Sequence, residues 1–305
     1  MPEREVCTGF VVIRHPYNEP VPAPDPAAAF KKIIDAHGYG FHYAVLQRCM
    51  ELTSAGESPW SFEASELPVS VGEHHTRIDF VLRTNDAVLI AECKRGNSAL
   101  ARWCFARAPY VARRTRAGNV RLEQFFFEPD NQRRAARPME LSEVSDQYHI
   151  ALEMRTPRTG DDGLKGRGAV EDAATQVIRG ASGFINFLRD NPRIMDNSPM
   201  FVLPVVFTTA TILCSEANLA KADLRTGQIP LASLQERPWI WFQQNVSAAL
   251  EHSLPKFYPQ EPLSSVAQML RFRHARSIAI VTADGISEFL RTVAKDLEDF
   301  NRGSA

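Results

Sequence analysis

Between Thr76 and Asn97 the chain has little freedom in the secondary structure it can adopt. Ile78, Phe80 and Leu82 alternate with Arg77, Asp79 and Val81. After a short polar break, Val88, Leu89, Ile90 and Ala91 form an almost wholly apolar run. Alternation and short apolar runs bounded by turn residues are strand signals. Asn85 and Asp86, both good turn residues, lie between the two runs. The segment reads as a tight hairpin. Its second strand, apolar on both faces, belongs at the centre of a sheet.

The period of two then sorts the charges. Ile90, Glu92 and Lys94 share one face of the second strand, while Leu89, Ala91 and Cys93 share the other. In the first strand Asp79 lies opposite the face of Ile78, Phe80 and Leu82. If Asn85 and Asp86 are the two loop residues, Asp79 falls across from Glu92, with Cβ atoms roughly 5 Å apart. A slip of one residue would turn Asp79 to the wrong face. Two carboxylates this close repel each other unless a positive charge intervenes. A hard divalent cation supplies that charge, and magnesium takes one or two carboxylates together with waters and substrate phosphate. Lys94, on the same face, can orient a water or steady developing phosphate charge. The plainer reading is a solvated Glu92–Lys94 pair at a strand end, with Asp79 an ordinary edge residue. That reading leaves charges on a strand buried on both sides, which is costly without a partner.

Asp79 followed by Glu92-Cys93-Lys94 on the next strand resembles the PD-(D/E)xK nuclease superfamily, the restriction-endonuclease-like fold. The resemblance covers about residues 30 to 215 and is strongest over 76 to 97. It departs from the family pattern at Ile78, where the family carries proline. It implies a mixed central sheet flanked by helices, an α/β (α+β) class. It also implies that Asp79, Glu92 and the backbone carbonyl of Cys93 hold Mg2+ (or Mn2+), and that Lys94 assists the attacking water. The first core helix of the family often carries an acid facing the metal, for which Glu51 stands here, with Gln47 one turn earlier. A Gln-x-x-x-Tyr pair found in some relatives is matched only by Gln176, because Gly180 occupies the fourth place.

Composition narrows the remaining choices. The 305 residues carry a net charge of −1, so only a local patch can attract a polyanion. Such a patch exists. Residues 95 to 137 hold ten arginines and three acids, an excess of +7, with Trp103, Phe105, Tyr110 and Phe125 to Phe127 among them. Arginine suits bidentate phosphate contacts and stacking on bases. Arg95, Arg102, Arg113, Arg114 and Arg116 are the expected nucleic-acid contacts. The alternative is a solvated face with the aromatics in the core, and the Phe triplet reads as strand core. Cys7, Cys49, Cys93, Cys104 and Cys214 have no paired spacing, which fits free thiols in a reducing cytoplasm. The first residues show no signal-peptide pattern. No apolar run reaches the roughly 20 residues that span a bilayer, so no membrane partner is expected.

The rest of the chain supplies the frame. Val6 to Ile13 can form a strand, and Pro16, Pro20, Pro22, Pro24 and Pro26 mark an extended arm over residues 1–26. Asp25 caps a helix to about Ala36, and a second helix follows from Phe41 to Ser54 with a stripe of Phe41, Val45, Cys49 and Leu52. Strands are expected over 60–72, 147–155, 200–214, 238–242 and 277–282. Helices are expected over 170–189 and 284–300. His74 and His75 read as a loop feature, and the glycine-rich 156–168 as a surface loop. The expected division is a nuclease-like core over 27–215 and a C-terminal strand/helix extension over 216–305.

The expected function is metal-dependent hydrolysis of nucleic-acid phosphodiesters, DNA favoured over RNA. The resemblance adds a role in defence against foreign DNA. It also allows for a homodimer, where both strands are to be cut, or a partner protein for targeting. The alternative is a catalytically silent nucleic-acid-binding or assembly component on the same fold. A carboxylate-pair glycosidase fits less well, because Lys94 opposes the raised carboxyl pKa such sites need.

Overall fold

The computed structural model describes residues 25–96, 101–109, 120–128, 133–141, 147–155, 164–165, 168–191, 199–230, 232–253 and 266–303. Its elements open with α1 (Pro26–Ala36), α2 (Tyr39–Ser54), β1 (Ser61–Val71), β2 (His74–Arg83), β3 (Ala87–Lys94) and β4 (Ala101–Ala106). Next come β5 (Val120–Glu128), β6 (Arg133–Leu141), β7 (Gln147–Tyr148), β8 (Ile150–Arg155), β9 (Leu164–Lys165) and α3 (Gly168–Asp190). The chain continues through β10 (Met200–Thr208), β11 (Thr211–Ser215), β12 (Leu234–Glu236) and β13 (Trp239–Asn245). It closes with α4 (Ala248–Ser253), α5 (Val266–Met269), β14 (Ala275–Thr282) and α6 (Ile286–Gly303).

Two compact units result, Met1–His37 and Gly38–Ala305. In the first, α1 begins where Asp25 Oδ1 accepts the Ala27 N–H at 3.1 Å, with proline in the first turn. Side chain and ring thus satisfy or remove donors that the start of a helix leaves without partners. The expected strand over 6–13 and almost all of the arm over 1–26 lie outside the described residues.

The second unit is a mixed α/β structure. Among its described residues nine strands form one sheet, with the path β1-β2-β3-β10-β14-β13-β7, and β5 and β6 joining at β10. β1, β2 and β3 are antiparallel neighbours, whereas β3, β10 and β14 run parallel. β3 is central, and Ala87 to Ala91 are 0–1% exposed, as the unbroken apolar run requires. Two of its strands, β13 and β14, come from residues 216–305. Alternation along β10 divides the core between two faces. Met200, Val202 and Val206 meet α3, and Phe201, Leu203, Val205 and Phe207 meet α2 and α6.

A second sheet of five strands, β12-β11-β4-β8-β9, packs its Trp103, Phe105 and Ile212 into the α3-side core. The apolar run 200–214 is therefore two strands rather than one. The chain leaves the first sheet at Thr209, whose hydroxyl donates to Gly96 O (2.7 Å) and accepts from Gly96 N (2.9 Å). These bonds replace ladder bonds where the strand changes sheet. His74 and His75 open β2 instead of forming a loop, paired with Val71 and Ser70.

Candidate functional site

The hairpin closes in the register its turn residues favour. Thr84 N–H donates to Ala87 O at 2.8 Å, and Thr84 Oγ1 accepts from the N–H groups of Asp86 and Ala87. Asn85 and Asp86 are left as the loop. The ladder then runs from Arg83↔Val88 to Phe80↔Ala91 and stops. One step further along this register sets Asp79 across from Glu92. In place of a backbone rung, Asp79 Oδ2 accepts the Cys93 N–H at 2.6 Å.

The strand alternation breaks at this point. Phe80 and Leu82 pack on the α2 face, but Ile78 packs on the α3 face with Val81 and Ile90. Ile78 therefore does not share a face with Phe80 and Leu82 as the simple period of two predicts. The neighbouring strand is irregular at the same level. Ser65↔Phe80 and Leu67↔Ile78 flank Glu66, which has φ +54°. A left-handed backbone at a residue with a Cβ is disfavoured, and such strain gathers at functional sites. The double break leaves Glu66 and Asp79 side by side where β2 and β3 part.

On the α3 side, Lys94 Nζ lies 2.7 Å from Glu92 Oε1 and donates to Gln176 Oε1 at 2.7 Å. Glu92 is 6% exposed at its side chain and Lys94 31%, so the ammonium reaches from a buried partner to the cleft. Gln176 reaches Lys94 because α3 lies close on the sheet. A Cβ on Gly183 would stand 2.7 Å from Val69 Cγ2, and one on Gly180 would stand 3.3 Å from Ile78 Cγ1. At Gly180, where the resembled pattern has tyrosine, a side chain would press on Ile78 and Ile90. Glycine at 180 and 183 lets α3 lie close on the sheet, on the helix that carries Gln176.

On the α2 side stands His42. Its ring stacks on Phe80 with centroids 5.8 Å apart, and Nδ1 lies 3.3 Å from Glu66 Oε1. Nε2 is buried and has no hydrogen-bond partner. A carboxylate on Nδ1 favours the tautomer whose Nε2 carries a free lone pair, the usual arrangement of a metal-binding histidine. His42, Glu66 and Asp79 present ligand atoms all within 4.8 Å of one another. Glu66 is itself held by Arg77, Nε to Oε2 at 2.7 Å.

Charge is in short supply here. Burial raises the Asp79 carboxyl above its ordinary range, and the Cys93 N–H, the His42 ring and the Lys94 charge oppose this only in part. Burial and then repulsion from Asp79 push Glu92 up to about 7, with Lys94 pulling the other way. The Cys93 thiol is driven well up by burial, so it is no thiolate ligand; its side chain packs towards α2. A cation would offset the charge of the buried carboxylates. The clustered donors, the Asp79 and Glu66 carboxylates and the His42 imidazole, fit a divalent ion, with manganese at least as suitable as magnesium.

The other expected residues fall elsewhere. Glu51 is on the exposed side of α2, bonded to Gln47 (3.1 Å) and beside Arg48 (3.5 Å). The α2 residue that stands at Asp79 is His42. Arg95 directly follows Lys94 and is exposed, and Arg102 is exposed on β4 in the second sheet. Arg113, Arg114 and Arg116 lie outside the described residues. Of two further arginines of the basic stretch, one is buried and one lies on the surface against the sheet. Arg121 is 6% exposed, and Arg137 stacks on Phe126 and donates to Gln124. Trp103, Phe105 and Phe125 are core.

Sequence reasoning missed His42 and Glu66. The signal for His42 was present. The buried stripe of α2 is His42, Val45, Leu46, Cys49 and Leu52, so a polar residue occupies a core position in the first turn. Glu66 had no such signal, because nothing in its neighbours announces a positive φ. Comparison of the chain with family models, with curated proteins and with solved structures returns no match.

Proposed function

We propose that this chain is a metal-dependent phosphodiesterase that hydrolyses nucleic acid, DNA by preference, with a restriction-endonuclease-like core. The observation that carries the reading is Asp79 holding the Cys93 N–H at 2.6 Å, close enough to Glu92 to repel it, with Lys94 Nζ 2.7 Å from Glu92, at the carboxyl end of a central strand. Open α/β sheets bind ligands in crevices outside the carboxyl ends of their strands. The PD-(D/E)xK resemblance supplies the reaction class.

Asp79, Glu92, the Cys93 carbonyl and His42 would hold the ion. A bound magnesium or manganese ion supplies Lewis acidity, lowering the pKa of water and neutralising phosphate charge. Glu66 orients His42 and is fixed by Arg77. Lys94 Nζ, anchored by Gln176, keeps protons directed at the cleft, where they meet a water or a non-bridging phosphate oxygen. Arg95 and Arg102 add positive surface for the strand. The buried or half-buried free thiols Cys49, Cys93, Cys104 and Cys214 suit a cytoplasmic setting, and defence against foreign DNA is the role the resemblance favours.

Purified protein incubated with supercoiled plasmid, single-stranded DNA and RNA tests this, with magnesium, manganese or EDTA. Metal-dependent cleavage is expected. Asp79→Ala and Lys94→Ala should each lower the rate roughly 10³-fold or more with the melting temperature retained. Full activity in Lys94→Ala would sink the mechanism.

A further inference from the structure

A polar pocket of about 350 Å³ opens beside this site, between α3 and the turn that joins β1 to β2. His74 and His75 line it from the start of β2, and Asp172, Thr175, Gln176 and Arg179 from α3. It adjoins the catalytic cleft through one side chain, because Gln176 both lines the pocket and accepts the Lys94 hydrogen bond at 2.7 Å.

Arg179 is the unusual member. Its Nε is buried and no hydrogen-bond acceptor meets it. Its helical neighbour Gly180 sits so close to Ile78 and Ile90 that a Cβ there would lie 3.3 and 3.5 Å from them, which fixes the helix against the sheet. A half-buried guanidinium with an unmet donor is costly by itself, and its planar fork matches a phosphate better than any other side chain does. His74 and His75 add donors on the opposite wall, and Ser70 Oγ steadies His75 Nδ1 at 2.9 Å. Asp172 is exposed and carries the opposing charge, which weakens casual anion binding.

We infer that this pocket holds a backbone phosphate of the nucleic-acid substrate, next to the phosphate that is cut, with Arg179 as its cation. The inference rests on the phosphodiesterase reading. It adds a substrate contact outside the arginine-rich stretch. Because Gln176 touches both places, a strand seated in the pocket also sets Lys94.

The test is binding of a short fluorescent single-stranded DNA oligonucleotide in EDTA, by anisotropy across a salt series, so that no cleavage is required. Arg179→Gln should weaken binding roughly tenfold and lower the slope of log Kd against log salt by about 0.7, the signature of one lost phosphate contact. Arg179→Lys should keep the slope, and Asp172→Asn should tighten binding. Circular-dichroism melting checks the fold. If Arg179→Gln does not fold, the Lys and Asn variants carry the test. An unchanged slope and affinity in Arg179→Gln, no gain in Asp172→Asn, or no oligonucleotide binding by the unaltered protein each overturn the inference. Metal-dependent cleavage with Arg179→Gln at unaltered KM removes this contact and leaves the nuclease reading standing. Arg179-dependent binding without cleavage under any metal does the reverse.

Discussion

Glu92 and Glu123 are both glutamates buried against the same strand. Glu92 on β3 pairs with Val206 of β10, and Glu123 on β5 pairs with Val202 of β10. Their relative exposures are 5% and 7%. What surrounds them differs. Glu123 Oε1 lies 3.0 Å from Arg276 Nε, and both side chains are below a tenth exposed. Arg276 also donates to the carbonyls of Arg273 and Ala275. There one charge meets one countercharge, although the Arg276 Nε makes no hydrogen bond. Glu92 faces a second acid, Asp79, and its ammonium partner Lys94 is one-third exposed and also bonded to Gln176. A fold that needed only a buried ion pair already shows how it builds one at Glu123. The surplus acid at Glu92 is the charge that the proposed metal ion would offset.

The largest expected effect breaks the Glu123–Arg276 pair. Glu123→Gln leaves the buried Arg276 uncompensated and should destabilise by about 3–5 kcal/mol. In a thermal melt that is a drop on the order of 10 °C. Glu92→Gln removes a charge the fold resists, so its melting temperature in EDTA at neutral pH or above should hold or rise while cleavage is lost. Equal destabilisation by the two substitutions would erase the distinction between structural and functional acid.

A smaller effect sharpens the same contrast through pH. Glu92 rises from an ordinary 4.5 to about 7 on folding. Between those values the folded protein holds a proton that the unfolded chain releases. The stability this provides is complete below about 4.5 and is lost as pH rises through about 7. Without metal, the protein should therefore lose on the order of 3 kcal/mol over that window. Glu92→Gln should flatten the profile. Manganese binding competes with the same proton, so its affinity by calorimetry should climb as pH rises through about 7. A metal-free stability that climbs over this window in the unaltered protein would contradict the assignment.

The contrast also shows what the residues alone could reveal. The hairpin was legible because its alternation, its Asn85-Asp86 loop and its doubly apolar second strand all demand one register. α3 was legible from its helical spacing. The rest depended on long-range geometry. Whether Thr209 continues one strand or crosses to another sheet is settled by its bonds to Gly96, far away in sequence. The break that sends Ile78 and Phe80 to opposite faces needs Glu66 in a left-handed backbone on the adjacent strand. The basic stretch shows the limit of counting charge. Its excess is real, yet Arg121 is buried and Arg137 lies against the sheet.

A third acid sets the lower bound of the comparison. Glu51 is about half exposed, bonded to Gln47 and beside Arg48, all on one face of α2. Exposed pairs at helical spacing contribute only about 0.3–0.5 kcal/mol, because water screens them and ordering long side chains is unfavourable. Glu51→Ala should therefore shift the melting temperature hardly at all and leave cleavage intact. His42→Ala, nine residues earlier on the opposite side of the helix, should weaken manganese binding and cleavage, because it removes the imidazole clustered with Glu66 and Asp79. If instead Glu51→Ala abolished cleavage and His42→Ala did not, the helix would serve the site by the residue the sequence pattern suggested. The orphaned His42 Nε2 would then be only a packing defect. The geometry favours His42, since a nitrogen buried without a partner is costly unless something binds it.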